Sequence, residues 1–123
     1  MAKIAGLAIT LFLFLGIDLV AAKDCGAYLR LVDGVTVDRH IQLAPGEKCS
    51  FNLSNSAGPM GSLVITQRPA HGTASVIGPH RLSYVAARGY LGEDSFVYER
   101  RGLDTRNMPV AFPVRVLAKI VGK

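Results

Sequence analysis

The stretch that decides the fold is Gly89-Tyr-Leu-Gly-Glu-Asp-Ser-Phe-Val-Tyr98, in which two glycines precede a short run of alternating residues. Gly89 and Gly92 flank Tyr90 at a point where the chain must turn, and glycine adopts a positive φ there without steric cost. A tyrosine at such a corner can bury its ring and donate its hydroxyl to a backbone carbonyl. We therefore interpret this stretch as part of the scaffold and not as a ligand site.

The residues after the corner alternate with the period of a β-strand. Phe96 and Tyr98 share one face, which we expect to be buried, while Val97 lies on the other. Glu93 and Asp94 are adjacent and therefore point to opposite sides of a strand, which keeps them from sharing a catalytic proton. We expect Asp94 instead to cap the corner by accepting hydrogen bonds from backbone N–H groups.

Short β-rich runs recur along the rest of the chain, separated by Gly, Pro, Asn and Asp, and no long segment shows helical periodicity. This spacing is typical of an all-β antiparallel sandwich or barrel. The predicted strands are Ala27–Val32, Arg39–Leu43, Cys49–Leu53, Ser62–Gln67, Thr73–Ile77, Arg81–Val85, Asp94–Arg101 and Val110–Lys119.

The last predicted strand has the clearest two-residue period. Apolar side chains occupy every second position from Phe112 to Ile120, with Arg115 and Lys119 on the opposite, solvated face. The loop 102–109 joins this strand to the preceding one in a hairpin. Pro113 cannot donate a hydrogen bond to a ladder, so it marks an edge position or a bulge.

Residues 1–22 are predicted to be a signal peptide. Lys3 precedes an apolar run over 4–17, and small residues end the segment at Ala22. The alternative is a retained membrane anchor, but Asp18 cuts the run short of the roughly 20 apolar residues that a spanning helix needs. We expect cleavage to leave a single domain over residues 23–123 with no membrane span, located in the periplasm or secreted.

The cysteine pair and the net charge fit an exported chain. Cys25 and Cys49 are the only cysteines, and an even pair in an oxidising compartment predicts one disulfide. The net charge of +5 favours an anionic partner such as a phospholipid headgroup or an acidic polysaccharide. An exported protein has little occasion to meet nucleic acid, so none is expected as a partner.

Three blocks of sequence resemble the bacterial cadherin-like and Ig-like domains of secreted and surface proteins. They are Ile65-Thr-Gln-Arg-Pro-Ala-His-Gly-Thr73, Leu82-Ser-Tyr84 and the stretch 89–98, in that order. The resemblance covers about residues 63–98. It implies a single antiparallel Ig-like β-sandwich, and it says little about the role of the protein.

Two candidate sites follow from charged residues near the last hairpin. Arg100, Arg101 and Arg106 bracket the predicted loop, so we consider an anion-binding or partner-binding loop there. Cadherin-like modules can bind calcium. Calcium requires six to eight oxygen ligands, and the positive charges of nearby Arg100 and Arg101 disfavour a bound cation. We therefore predict no metal site and no cofactor.

No catalytic motif occurs in the chain: it lacks a nucleophile elbow, a zinc-protease helix motif, a P-loop and a dinucleotide fingerprint. The interpretation that we favour is a non-catalytic exported module for adhesion, protein interaction or envelope-associated binding. The partner is then an unidentified protein or an anionic envelope component or polysaccharide. The alternative is a small secreted enzyme or inhibitor whose reactive group lies within residues 25–60.

Overall fold

A computed structural model describes residues 23–26, 30–53 and 61–122. The predicted signal peptide lies outside the described residues, as does half of the predicted strand 27–32. Within the described part of that strand, only Val32 takes part in β-structure, as an isolated bridge to Val35. No helix among the described residues is long and apolar enough to cross a membrane.

The described chain is all-β, with two sheets of four strands each. One sheet has the order β1-β3-β6-β5 and the other has the order β2-β8-β7-β4. The strands are β1 (Lys23–Asp24), β2 (Val37–Leu43), β3 (Lys48–Asn52), β4 (Ser62–Gln67), β5 (Thr73–Gly78), β6 (Arg81–Val85), β7 (Gly92–Leu103) and β8 (Pro109–Ile120).

A single apolar core joins the two sheets. Phe51 of β3 meets Phe96 edge to face at 6.1 Å between ring centroids, and it lies 6.4 Å from the ring of Tyr98. Tyr84 of β6 stacks on Phe96 at 5.4 Å. Side chains at every second position of β8 from Val114 to Ile120 complete the cluster. The predicted alternation of β7 and β8 is therefore confirmed, because these are the buried positions of both strands.

Each sheet is mixed, and not antiparallel throughout as the sequence predicted. The strand β2 runs parallel to β8, and β1 runs parallel to β3. Only strands joined by a tight turn are forced to be antiparallel, and neither of these pairs is joined in that way. The pairs that a short connection does link, β5 with β6 and β7 with β8, are antiparallel.

The hairpin of β7 and β8 is longer, and its loop shorter, than predicted. The two strands pair from Gly92 with Ile120 out to Leu103 with Pro109. Pro113 lies one residue before the point where β2 begins to pair with β8, at Val114. At Pro113, therefore, β8 has a paired strand on one side only, as an edge position requires.

The predicted disulfide between Cys25 and Cys49 is present, with the two Cα atoms 5.6 Å apart. Both cysteines are buried, and Cys25 is further tied to β3 by its N–H, which donates to the carbonyl of Ser50 at 2.9 Å. In the chain-entropy model, a closed loop of this length stabilises the fold by roughly 3 kcal/mol. The bond fastens the start of the described chain to the core.

Candidate functional site

A pocket of about 580 Å³ lies on the outer face of the β2-β8-β7 sheet. Strand register arranges its side chains in two rows. Lys119 is paired with Gln42 on one side and Glu93 on the other. Leu117 lies between His40 and Ser95 in the neighbouring row. These six residues define what we call the outer-face pocket.

The polar groups of this pocket are not used by the fold. Among the described residues, the side chains of His40, Gln42, Glu93 and Lys119 form no hydrogen bond or ion pair. Three of these residues sit on β2 and β8 at positions where alternation points the side chain to solvent. The hydrogen-bond donors and acceptors of these side chains are therefore available to a ligand.

The next row on the same face differs because its charges neutralise each other. Arg115 donates to both carboxylate oxygens of Asp38, at 3.0 and 2.8 Å. The hydrogen bond from Arg115 holds the pKa of Asp38 below its ordinary value, and the same contact raises the pKa of Arg115. This ion pair lies in the row next to Leu117 and His40, and the outer-face pocket itself contains the exposed cation of Lys119.

The buried carboxylate of Asp94 organises the opposite, inner side of β7. It accepts hydrogen bonds from the backbone N–H groups of Ala70, His71 and Gly72 at 3.0, 3.2 and 2.8 Å. The hydroxyl of Tyr84 donates to it at 2.6 Å. Asp94 thus bonds to backbone N–H groups, as predicted, but those groups belong to the 70–72 turn and not to the corner that precedes Asp94 in sequence.

These contacts give Asp94 a structural role. Burial acts to raise the pKa of this carboxyl, but the hydrogen bonds from Tyr84 and the turn outweigh it, so the pKa lies below its ordinary value. Burial, together with the bond to Asp94, raises the pKa of Tyr84. Gly72 is required at this turn because a Cβ there would lie 2.6 Å from the Tyr84 ring.

The corner from Gly89 to Gly92 has the geometry that its sequence indicated. Gly89 and Gly92 have φ values of 78° and 137°, and the hydroxyl of Tyr90 donates to the carbonyl of Glu93 at 2.7 Å. The ring of His71 stacks on Tyr90 with centroids 3.8 Å apart. His71 is therefore a turn residue packed against the corner.

Arg100, Arg101 and Arg106, the residues predicted for an anion-binding or partner-binding loop, do not all lie on that loop or on one face of the sheet. Arg100 and Arg101 belong to β7, where successive side chains point to opposite faces. Arg100 is only 2% exposed, whereas Arg101 pairs with Glu99 at 2.8 Å on the outer face. Only Arg106 lies on the loop between β7 and β8.

The predicted strand Asp94–Arg101 already contained Arg100, but its alternation was followed only as far as Tyr98. Continuing the alternation of Phe96 and Tyr98 by one step places Arg100 on the inner face. Burial lowers the pKa of Arg100. Burial also raises the pKa of Tyr98 to about 12, although the charges of Arg39 and Arg100 oppose this shift.

The outer-face pocket was not predicted from the sequence, and two of its residues, Glu93 and Ser95, belong to the stretch 89–98 that was interpreted as scaffold alone. Its side chains come from three strands that are far apart in the chain and become neighbours only through the register of β8 with β2 and β7. The sequence indicated only one part of this pocket, because it placed Lys119 on the solvated face of the last strand. Within the described ranges, no group of three or more His, Cys, Asp or Glu residues is placed to hold a metal ion.

Comparisons with known proteins leave the family undecided. No protein-family model matches the chain, and a search of curated proteins finds no match. The resemblance to cadherin-like and Ig-like domains therefore rests on the sequence blocks quoted above.

Proposed function

We propose that the protein is an exported, non-catalytic β-sandwich module of the Ig-like or cadherin-like type, which binds an anionic envelope component through the outer-face pocket. The strand orders support the fold assignment. Labelled A, A′, B, C, D, E, F and G along the chain, the sheets read A-B-E-D and A′-G-F-C. An Ig-like sandwich places A, B, E and D in one sheet and C, F and G in the other.

The disulfide supports export. Disulfides persist in oxidising compartments and are rare where thiols are kept reduced. Both cysteines of this chain are joined in the core, and the segment before them has the pattern of a signal peptide. Periplasmic or secreted localisation is the proposal that accounts for both features.

A binding role is favoured over catalysis by the spacing of the pocket. The hydroxyl of Ser95 and the imidazole of His40 are the nearest approach to a nucleophile and a base. They lie on strands separated by β8, so about 9–10 Å of sheet divides their backbones. A nucleophile and its base must come within hydrogen-bond reach. The buried Asp94 is fully engaged in hydrogen bonds and is not available as an orienting acid.

The observation that carries the proposal is the set of side chains in the outer-face pocket that lack a partner. Lys119 offers a cation to a carboxylate, and Gln42 offers an amide donor and acceptor. Glu93 accepts hydrogen bonds from hydroxyl groups. A hydroxyl-rich acidic polysaccharide carries the complementary groups, and the net charge of +5 attracts it to the protein.

Isothermal titration with oligogalacturonate, a defined acidic oligosaccharide, tests this function. We expect Lys119→Ala to weaken binding roughly fivefold to tenfold, because one charge-assisted hydrogen bond is lost. The matched control is Lys48→Ala, which removes an exposed lysine from β3 in the other sheet. Equal weakening by both variants would indicate non-specific attraction, and no binding by the wild-type protein would reject this partner class.

The alternative of a small secreted enzyme or inhibitor makes a different prediction for the same titration. An enzyme acting on the oligosaccharide would shorten it, and chromatography of the recovered ligand would show the fragments. We expect the ligand to be recovered intact.

A further inference from the structure

The exposed apolar side chains are concentrated at one end of the molecule. This end, which we call the hairpin end, comprises the β7–β8 loop, the turn from Val32 to Val35 and the turn between β5 and β6. Six of the seven large apolar residues exposed in the described chain belong to its loops or to the strand positions beside them. They are Val32, Val35, Val76, Ile77, Leu103 and Met108. The seventh, Leu91, lies at the opposite end.

The loop between β7 and β8 holds its apolar residues on a fixed frame. Asp104 accepts hydrogen bonds from the N–H groups of Arg106 and Met108 at 2.7 and 3.0 Å, and its own N–H donates to the carbonyl of Met108 at 2.9 Å. Asn107 takes the left-handed φ of 63° that closes the turn. Leu103 and Met108 are nevertheless 50% and 56% exposed. The loop is thus a hydrogen-bonded tip with exposed apolar side chains.

The turn from Val32 to Val35 is attached to the same hairpin. The N–H of Gly34 donates to the carbonyl of Ala111 at 2.8 Å, and the N–H of Ala111 donates to the carboxylate of Asp33 at 2.8 Å. Val32 and Val35 remain about half exposed. Two neighbouring turns therefore present apolar side chains beside each other.

Positive charge surrounds this apolar surface. Four exposed arginines, Arg30, Arg81, Arg101 and Arg106, lie at the hairpin end or on the strand ends next to it. Three carboxylates lie nearby. Glu99 pairs with Arg101 at 2.8 Å, Asp104 pairs with Arg106 at 3.4 Å, and Asp33 accepts a hydrogen bond from the N–H of Ala111. The arginines outnumber these carboxylates by one, so the apolar end carries a small net positive charge.

We propose that the hairpin end docks on an anionic lipid surface, with Leu103 and Met108 inserted among the acyl chains and the arginines near the headgroups. A bilayer accommodates apolar side chains that project from a loop, and exposed arginines beside them suit its anionic headgroups. Membrane attachment by a modest apolar contact becomes effective when electrostatic attraction to anionic lipid adds to it. Basic residues near an anionic membrane surface supply that attraction, which salt screens.

This orientation leaves the outer-face pocket accessible. Pro109 and Lys119 are ten residues apart on β8, which corresponds to about 33 Å along the strand. Lys23, where the mature chain is predicted to begin, lies at the pocket end, because its ammonium group donates to the carbonyl of Gln42. The lipid-facing and ligand-facing ends are therefore opposite, and each can be tested without the other.

Sedimentation with lipid vesicles tests the proposal. The full mature chain is mixed with vesicles of phosphatidylglycerol and phosphatidylcholine, or of phosphatidylcholine alone. We expect binding to the anionic vesicles, and at least a tenfold weaker partition for the double variant Leu103→Glu, Met108→Glu. The matched control is Leu91→Glu, which places a carboxylate on an equally exposed leucine at the opposite end and is expected to retain binding.

A spectroscopic reporter separates insertion from simple adsorption. The chain contains no tryptophan, so Met108→Trp gives a single fluorophore at the tip and Leu91→Trp gives one at the other end. We expect a blue shift on addition of anionic vesicles for Met108→Trp only. The proposal is overturned if the wild-type protein does not sediment, if both ends shift alike, or if Leu91→Glu loses as much binding as the tip variant. Lys119→Ala should sediment like the wild type, which keeps this result independent of the ligand pocket.

Discussion

Replacing Asp94 by alanine is the perturbation that most sharply tests how the two sheets are tied together. The side chain is 7% exposed and receives hydrogen bonds from Tyr84 and from three consecutive N–H groups of the 70–72 turn. Its removal leaves the buried hydroxyl of Tyr84 without this acceptor, which costs about 1–3 kcal/mol. Loss of the charged acceptor for the turn adds about 1–2 kcal/mol, because water can replace it only in part.

The expected loss of unfolding free energy is therefore about 2–5 kcal/mol. A domain of this size has a total stability of about 5–15 kcal/mol, so the change is large. It corresponds to a fall in the melting temperature of about 8–40 °C. Thermal and urea unfolding followed by far-UV circular dichroism, with the disulfide kept oxidised, measures the effect. Asp94→Asn keeps one oxygen acceptor and should cost about half as much.

Asp104→Ala is the matched control. Asp104 also accepts hydrogen bonds from two backbone N–H groups, but it does so on an exposed loop. We expect its replacement to change the melting temperature far less than that of Asp94. An Asp94→Ala protein that melts within a few degrees of the wild type would refute the assignment of Asp94 as the link between the 70–72 turn and the core.

Three further predictions concern the core and its titration. Tyr98→Ala should cost about 3–5 kcal/mol, as truncation of a buried aromatic does, whereas Tyr98→Phe should cost only about 1 kcal/mol; urea unfolding distinguishes the two. Because the pKa of Asp94 lies below its ordinary value of 3.8, the stability that Asp94 contributes is present above that pH and is lost as the pH falls through the folded-state pKa. The Asp94→Asn protein should therefore lose less stability in acid. Burial raises the pKa of Tyr98 from 10.0 to about 12. The stability that neutral Tyr98 contributes is therefore complete below pH 10 and is lost as the pH rises through 12. Tyrosine absorbance should show ionisation and unfolding together.

The sequence predicted local features of the fold well because they depend on side-chain alternation and turn residues. The strands β4 and β6 have the predicted bounds, and the corner around Tyr90 forms the expected hydrogen bond to a backbone carbonyl. Alternation reports which face of a strand is buried. It does not report which strand lies alongside or in which direction, so the parallel pairing of β2 with β8 could not be predicted.

The candidate site was harder to predict for the same reason. His40, Glu93 and Lys119 lie on three strands and meet only because of the register between them. Each of these residues, taken alone, is an ordinary solvated side chain of a strand. Among the three arginines considered for an anion-binding loop, Arg100 could have been set apart from the sequence alone, because alternation sends Arg100 and Arg101 to opposite faces.

The most direct test of the central claim is a residue-resolved map of ligand contact by nuclear magnetic resonance. Amide chemical shifts of the mature protein are recorded during titration with oligogalacturonate. The proposed binding module predicts that the largest shifts fall on residues 40–42, 93–95 and 117–119, with the Lys119→Ala protein showing much smaller changes at the same ligand concentration. Shifts centred on the opposite sheet, or no shifts in the wild-type protein, would contradict the claim that the outer-face pocket is the binding site for an acidic polysaccharide.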